Sequence, residues 1–225
     1  MTIIARIRNK SNSIVVDRNY RNLSFNRIYQ INTVNIPVKL DDETQYLFNI
    51  HAFYAQNEFT VVPSYIKTNN AFKPYNAFIF TQPTNVYVFS DKDIAPQNGP
   101  KLVIRNDLGI PVFSSDMKPM RVVRHLVGTI PNMGSDSNIF DEIIESGRKF
   151  AIAPCELPSR LWKYADRSSQ IGYHTLIFKT DASTGRVSIR YGAAYQENLG
   201  ANAWGKNAID ATTKYSILIL DVTDY

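Results

Sequence analysis

Along most of this chain, apolar and polar residues alternate over short stretches rather than recurring at helical spacing. Tyr46 to Tyr54 and Arg186 to Tyr191 alternate with period two, the pattern of a strand with one buried face. Comparable stretches, rich in β-branched and aromatic residues and bounded by Asn, Asp, Gly and Pro, run at Thr2 to Arg8, Ser13 to Asp17, Leu23 to Ile28, Phe59 to Ile66, Ala77 to Phe80 and Val86 to Ser90. The second half adds Lys101 to Asn106, Pro111 to Ser114, Met120 to Val127, Lys149 to Ala153, Tyr173 to Lys179 and Tyr215 to Val222. One segment breaks the pattern. Near 138–146, Ile139, Phe140, Ile143 and Ile144 recur at helical spacing, with Ser137 or Asn138 placed to cap a helix and Gly147 to end it. The prediction is an all-β, antiparallel, β-sandwich-like fold with one short helix.

The pattern also repeats. Ile7-Arg8-Asn9-Lys10-Ser11-Asn12 aligns with Ile104-Arg105-Asn106-Asp107-Leu108-Gly109, and each run reads as a hairpin turn followed by an apolar pair, Val15-Val16 or Val112-Phe113. The same offset matches Leu23 and Phe25 with Met120 and Val122, and Val86 to Asp91 resembles Ile217 to Val222. Two tandem related β-domains are therefore expected, 1–95 and 96–225. The junction would lie in Ile94 to Pro100, where two prolines and a glycine suit a linker.

Composition narrows the class. With 44% apolar and 20% charged residues, 225 residues are enough for a packed core. No apolar run approaches the roughly 20 residues of a membrane-crossing helix. Met1 to Lys10 does not read as a secretory signal, so synthesis in a cytoplasm is expected. The single cysteine, Cys155, has no internal partner for a disulfide. The net charge of +5 is local: residues 1–30 carry Arg6, Arg8, Lys10, Arg18, Arg21 and Arg27 against Asp17 alone. Arg6 and Arg8 would share one strand face, where charge commonly guards a sheet edge. Basic grooves with aromatic platforms are not visible, so nucleic acid is not the expected partner.

A family resemblance sits in the second half. Gly99-Pro-Lys-Leu-Val-Ile-Arg-Asn-Asp-Leu-Gly-Ile-Pro-Val-Phe-Ser-Ser-Asp116, followed by Met120-Arg-Val-Val-Arg124, resembles the opening of small β-rich accessory tail proteins of tailed bacteriophages. In those proteins a strand, a turn with Asn or Asp and Gly, and a strand ending in a Ser/Asp pair precede an apolar third strand. The Ile217-Leu-Ile-Leu-Asp221 ending is also similar to theirs. The resemblance spans Gly99 to Tyr225, and Met1 to roughly Ile94 would be a doubled unit or an added module. It implies a non-enzymatic structural component of a virion, made in the host bacterial cytoplasm, and transfers no functional residues. The partners implied are other virion proteins and further copies of the chain. The alternative is a host-surface binding module, for carbohydrate or protein, on a β-sandwich.

The search for chemistry supports no catalytic residues, metal or cofactor. His51, His125 and His174 are far apart, and the latter two sit among apolar strand neighbours. Cys155 lies in Ala153-Pro-Cys-Glu-Leu-Pro158 and reads as an inert thiol. Asp41-Asp42-Glu43 reads as a solvated loop, while Asp91-Lys-Asp93 and Asp221-Val-Thr-Asp224 offer carboxylates without the spacing of a calcium loop. No phosphate loop, His-Glu-x-x-His helix or nucleophile elbow occurs. Recognition has better candidates. Between Tyr191 and Lys206, Tyr195 and Trp204 stand among small and polar residues in a loop suited to partner contact.

Overall fold

The computed structural model describes residues 6–8, 14–17, 23–35, 37–38, 40, 49–68, 71–90, 102–105, 108–109, 111–115, 117–163, 170–198 and 209–225. Within them the chain forms antiparallel strands and turns and no helix. A six-stranded sheet contains β3 (Ser24–Ile31), β5 (Asn49–Tyr54), β8 (Thr84–Ser90), β11 (Val122–Thr129), β13 (Phe150–Glu156) and β18 (Lys214–Asp221), in the order β11-β18-β13-β5-β8-β3. Facing it is a larger sheet of β4 (Pro37–Val38), β6 (Phe59–Thr68), β7 (Ala71–Phe80), β12 (Ser137–Ile143), β15 (Gln170–Asp181) and β16 (Arg186–Asn198), in the order β12-β16-β15-β6-β7-β4. Two further strands, β14 (Ser159–Lys163) and β17 (Ile209–Thr212), extend it, with β14 paired to both β15 and β17. Two hairpins, β1 (Arg6–Arg8) with β2 (Ile14–Asp17) and β9 (Val103–Arg105) with β10 (Pro111–Ser114), complete the fold.

The apolar runs are explained by burial on both faces of the six-stranded sheet. In β8, Val86 and Val88 point into the core between the sheets, while Tyr87 and Phe89 enter a second cluster on the opposite side. In β18, Ile217 and Ile219 take the first direction and Leu218 and Leu220 the second. A strand buried on both sides needs apolar residues at consecutive positions, which masks its alternation. The second cluster is enclosed because the sheet curls until its ends meet. Phe25 donates its N–H to the Lys118 carbonyl at 2.8 Å, Met120 donates to Leu23 at 2.9 Å, and Ser24 faces Pro119. Phe25, Phe89 and Tyr225 pack over this closure, with ring centroids 5.1 to 6.0 Å apart. Between the sheets, Phe53 meets Phe80 at 5.5 Å.

Read outward from the middle of each sheet, the two halves have the same strand order. β5-β8-β3 mirrors β13-β18-β11, and β6-β7-β4 mirrors β15-β16-β12. They meet at antiparallel pairs, Phe53 opposite Ile152 and Phe59 opposite Phe178, and an antiparallel pair is itself two-fold symmetric. Register agrees as well. Ile7 opposite Val16 corresponds to Ile104 opposite Phe113, each beside a register shift. The shift between Phe25 and Arg27 against β8 recurs between Val122 and Arg124 against β18. The repeat is thus present in strand order and register. Strands β3 to β8 and β11 to β18 complete each other's sheets, and the main core draws side chains from both sets.

The helix expected near 138–146 is a correction: Ser137–Ile143 is strand β12, paired with β16 from Ser137–Tyr191 to Ile143–Arg186. A register shift between Asn138 and Phe140 lets the consecutive residues Ile139 and Phe140 both pack against the core, while Ile143 stays 63% exposed. A bulge therefore produced the adjacent apolar pair that imitated a helical face. Strand pairing with β16 and the β-branched isoleucines outweigh the local spacing. Gly147 ends the segment as expected, but in a turn with φ of 76°. Strands β4, β14 and β17 are additions to the sequence reading, and β7 begins earlier than expected, at Ala71.

Candidate functional site

The internal two-fold relationship shows where the halves differ. In the first half, β5 passes to β6 through residues 55–58, and β7 passes to β8 through 81–83. The corresponding connections of the second half carry β14 and β17, which pair with each other from Ser159–Thr212 to Leu161–Ile209. The short connections leave a hollow of about 300 Å³ at one end of the curled sheet. Across three strands Gln30, Asn85 and Tyr54 stand in register, Gln30 opposite Asn85 and Asn85 opposite Tyr54. Tyr54, only 8% exposed, belongs to the second apolar cluster and forms the floor, with the Lys149 ammonium 4.5 Å from its ring centre. Gln56, Asn57, Gln82 and Pro83 supply the rim.

Five carboxamide-bearing residues therefore line one hollow, and among the described residues no charged side chain lines it. Among the described residues, none of these five side chains has a hydrogen-bond partner. The backbone beneath them is held firmly: the Thr84 hydroxyl donates to the Gln82 carbonyl at 2.8 Å, and Asn85 lies between two paired strands. Each carboxamide can donate and accept, so the site suits a neutral ligand bearing closely spaced polar groups.

A second depression, of about 450 Å³, lies over β12, β16 and β15, and its Asp141, Asp181 and Arg186 are already engaged with neighbouring groups. Arg186 donates two hydrogen bonds to Asp141, both at 2.7 Å. These lower the Asp141 carboxyl pKa and raise that of the guanidinium. Asp181 accepts from the Ser183 hydroxyl at 2.6 Å, the Thr184 hydroxyl at 2.9 Å and the Ser183 N–H at 2.9 Å, which holds its pKa down to about 2. This is the chemistry of a stabilised hairpin turn.

The titratable residues singled out in the sequence are dispersed. His51 is in β5, His125 in β11 and His174 in β15. His125 is exposed and lies 3.1 Å from the Ser216 hydroxyl. His174 Nδ1 lies 3.3 Å from the Met133 carbonyl, which can only accept, so Nδ1 carries the proton. Burial lowers the pKa of His174. Cys155 is exposed in β13, yet the partial burial of its sulfur pushes the thiol up, away from the reactive thiolate. Asp221 and Asp224 are joined to arginines: Arg121 lies 2.7 Å from Asp224 and Arg148 lies 3.4 Å from Asp221. Among the described residues no three His, Cys, Asp or Glu side chains group as metal ligands.

Tyr195 lies in β16 opposite Tyr173, but its side chain is outside the described residues, as is all of Trp204. Asp41 to Glu43 and Asp91 to Asp93 also fall outside them. No family model, curated protein or solved structure matches the chain. The carboxamide hollow was missed in the sequence because Gln30, Gln56, Asn57, Gln82 and Asn85 are scattered along the chain and no motif joins them. Their signal was amides in and beside two turns, Gln56-Asn57 and Gln82 with nearby Asn85.

Proposed function

We propose that the chain is a non-enzymatic structural component of a bacteriophage virion, tail-associated and acting through protein–protein contacts. The observation that carries this reading is the position of the segment resembling tail accessory proteins. Its parts form the β9–β10 hairpin and lead into β11, the outermost strand of the six-stranded sheet. Among the described residues β11 pairs with β18 alone, and Val122 and Val127 on it are 46% and 67% exposed. An outer strand with bare valines suits a neighbouring virion protein or another copy of the chain, which would add a strand and cover them. The test is to purify particles, wash them at high salt and look for the chain by mass spectrometry. Retention is expected. Absence from the particle, or a hydrolytic activity lost on changing one carboxylate or Cys155, would overturn the proposal.

A second reading, a module that recognises a host-surface carbohydrate or protein, is favoured by the carboxamide hollow. A separate measurement tests it: the purified chain, incubated with cells in the absence of particles, would bind them on its own.

A further inference from the structure

We propose that the hollow bounded by Gln30, Gln56, Asn57, Gln82 and Asn85 is a binding site for a neutral saccharide. The inference deepens the second reading and is independent of attachment to a particle. Sugar hydroxyls both donate and accept hydrogen bonds, and a carboxamide offers an acceptor oxygen beside two donor hydrogens, so one Asn or Gln can engage two neighbouring hydroxyls. Five such groups surround the hollow without a hydrogen-bond partner among the described residues. Among the described residues no charge lines the hollow, which argues against phosphate, sulfate, uronate or a charged peptide, whose burial would require a counter-charge. At about 300 Å³ the space lies at the lower end of ligand sites and admits roughly one or two sugar rings.

The duplicated half supplies an internal comparison. At the opposite end of the curled sheet, the places of Gln30 and Asn85 are taken by Val127 and Ser216, which face each other across β11 and β18. The connections there carry β14 and β17 instead of short turns. Among the described residues, one scaffold thus presents a carboxamide-lined mouth at one end only. The side chains also stand on a prepared base: Gln30 and Asn85 project from paired strands above the buried Tyr54, so little backbone ordering is needed on binding.

The experiment uses the full chain on an array of neutral oligosaccharides of glucose, galactose, mannose and N-acetylglucosamine, with sialylated and uronate-bearing glycans as charged counterparts. The best neutral saccharide is then titrated by calorimetry against the wild-type chain, Gln82→Ala, Asn85→Ala and the control Val127→Ala. Each amide substitution should weaken binding about tenfold, as expected for a lost hydrogen bond that leaves a ligand hydroxyl unpaired. Val127→Ala should bind as the wild type does. Amide side-chain NMR signals of the five residues should shift on titration, a readout that keeps the test independent of how the variants fold. Retention of charged glycans only, no neutral saccharide bound at millimolar concentration, or binding untouched by both amide substitutions would overturn the proposal.

Discussion

Met120 donates its backbone N–H to the carbonyl of Leu23, and these two residues occupy the same place in the two halves of the chain. The contact joins the segment before β11 to the start of β3, closing the curled sheet around its inner cluster. Farther along the same line, Ala52 and Ala153 stand beside the Phe53–Ile152 pair, both essentially inaccessible. Their small side chains let the halves meet without displacing the packed layers. A repeat joined by shared sheets buries more apolar surface than two separate units of the same length.

Tyr225 seals this closure. Its ring packs on Phe25 and Phe89, its hydroxyl donates to the Pro119 carbonyl, and partial burial raises its pKa. Tyr225→Phe is expected to lose about 1 kcal/mol, the net worth of one hydrogen bond. Tyr225→Ala should lose about 2–4 kcal/mol through the cavity left beside Phe25. Urea denaturation of both variants provides the check, and equal losses would contradict the separate roles of ring and hydroxyl.

The loop before β12 is held from within. Tyr191 is fully buried and donates its hydroxyl to the Met133 carbonyl at 3.0 Å, with the His174 ring edge-on to it at 5.7 Å between centroids. Tyr191→Phe keeps the packing and removes the donor, so about 1–2 kcal/mol should be lost. Hydrogen exchange should speed up over residues 131–136 before it does in β15.

Two glycines with left-handed backbone should respond differently to alanine. At Gly185, φ is 66° and an added Cβ would lie 1.8 Å from the Glu145 carbonyl oxygen, which is backbone and cannot swing aside. Gly147 has φ of 76° and nothing within 4 Å of an added Cβ. Gly147→Ala should lose about 1 kcal/mol, the conformational penalty alone. Gly185→Ala should lose at least about 3 kcal/mol, because the end of β12 must separate from the β15–β16 turn. Thermal unfolding of the two variants gives the comparison.

The dependence on pH has a definite sign. Hydroxyl and N–H donors hold Asp181 at about 2, below the usual carboxylate value, so its contribution is complete above the unfolded pKa near 4. That contribution is lost as pH falls through about 2. His174 is also lowered, by burial, so its neutral form is the one the fold favours. Its contribution is complete above the ordinary histidine value of about 6.5 and declines as pH falls from there through the folded value. NMR titration should find the His174 midpoint below that of a free histidine and the Asp181 midpoint below that of a free aspartate. A normal midpoint at either residue would remove its assigned contribution.

The strand content and the repeat were legible in the residues themselves, because both are written at short range. Alternation marks strands, Asn and Gly mark turns, and the hairpin at Ile7 to Val16 has the same register as that at Ile104 to Phe113. The sequence therefore determined an all-β, antiparallel chain. It did not determine how the halves share their sheets, since pairing Phe53 with Ile152 or Phe59 with Phe178 joins residues about a hundred positions apart. A shorter but still non-local pairing misled the reading of Ile139 and Phe140, whose state depends on β16 rather than on their neighbours. The carboxamide hollow was hidden for the same reason. Gln30, Gln56 and Asn85 come from three separated strands or turns, and an amide at a turn looks alike whether it meets bulk water or four others around one cavity. Only the curling of the sheet decided which of the twenty asparagines and their glutamine neighbours would face a common space.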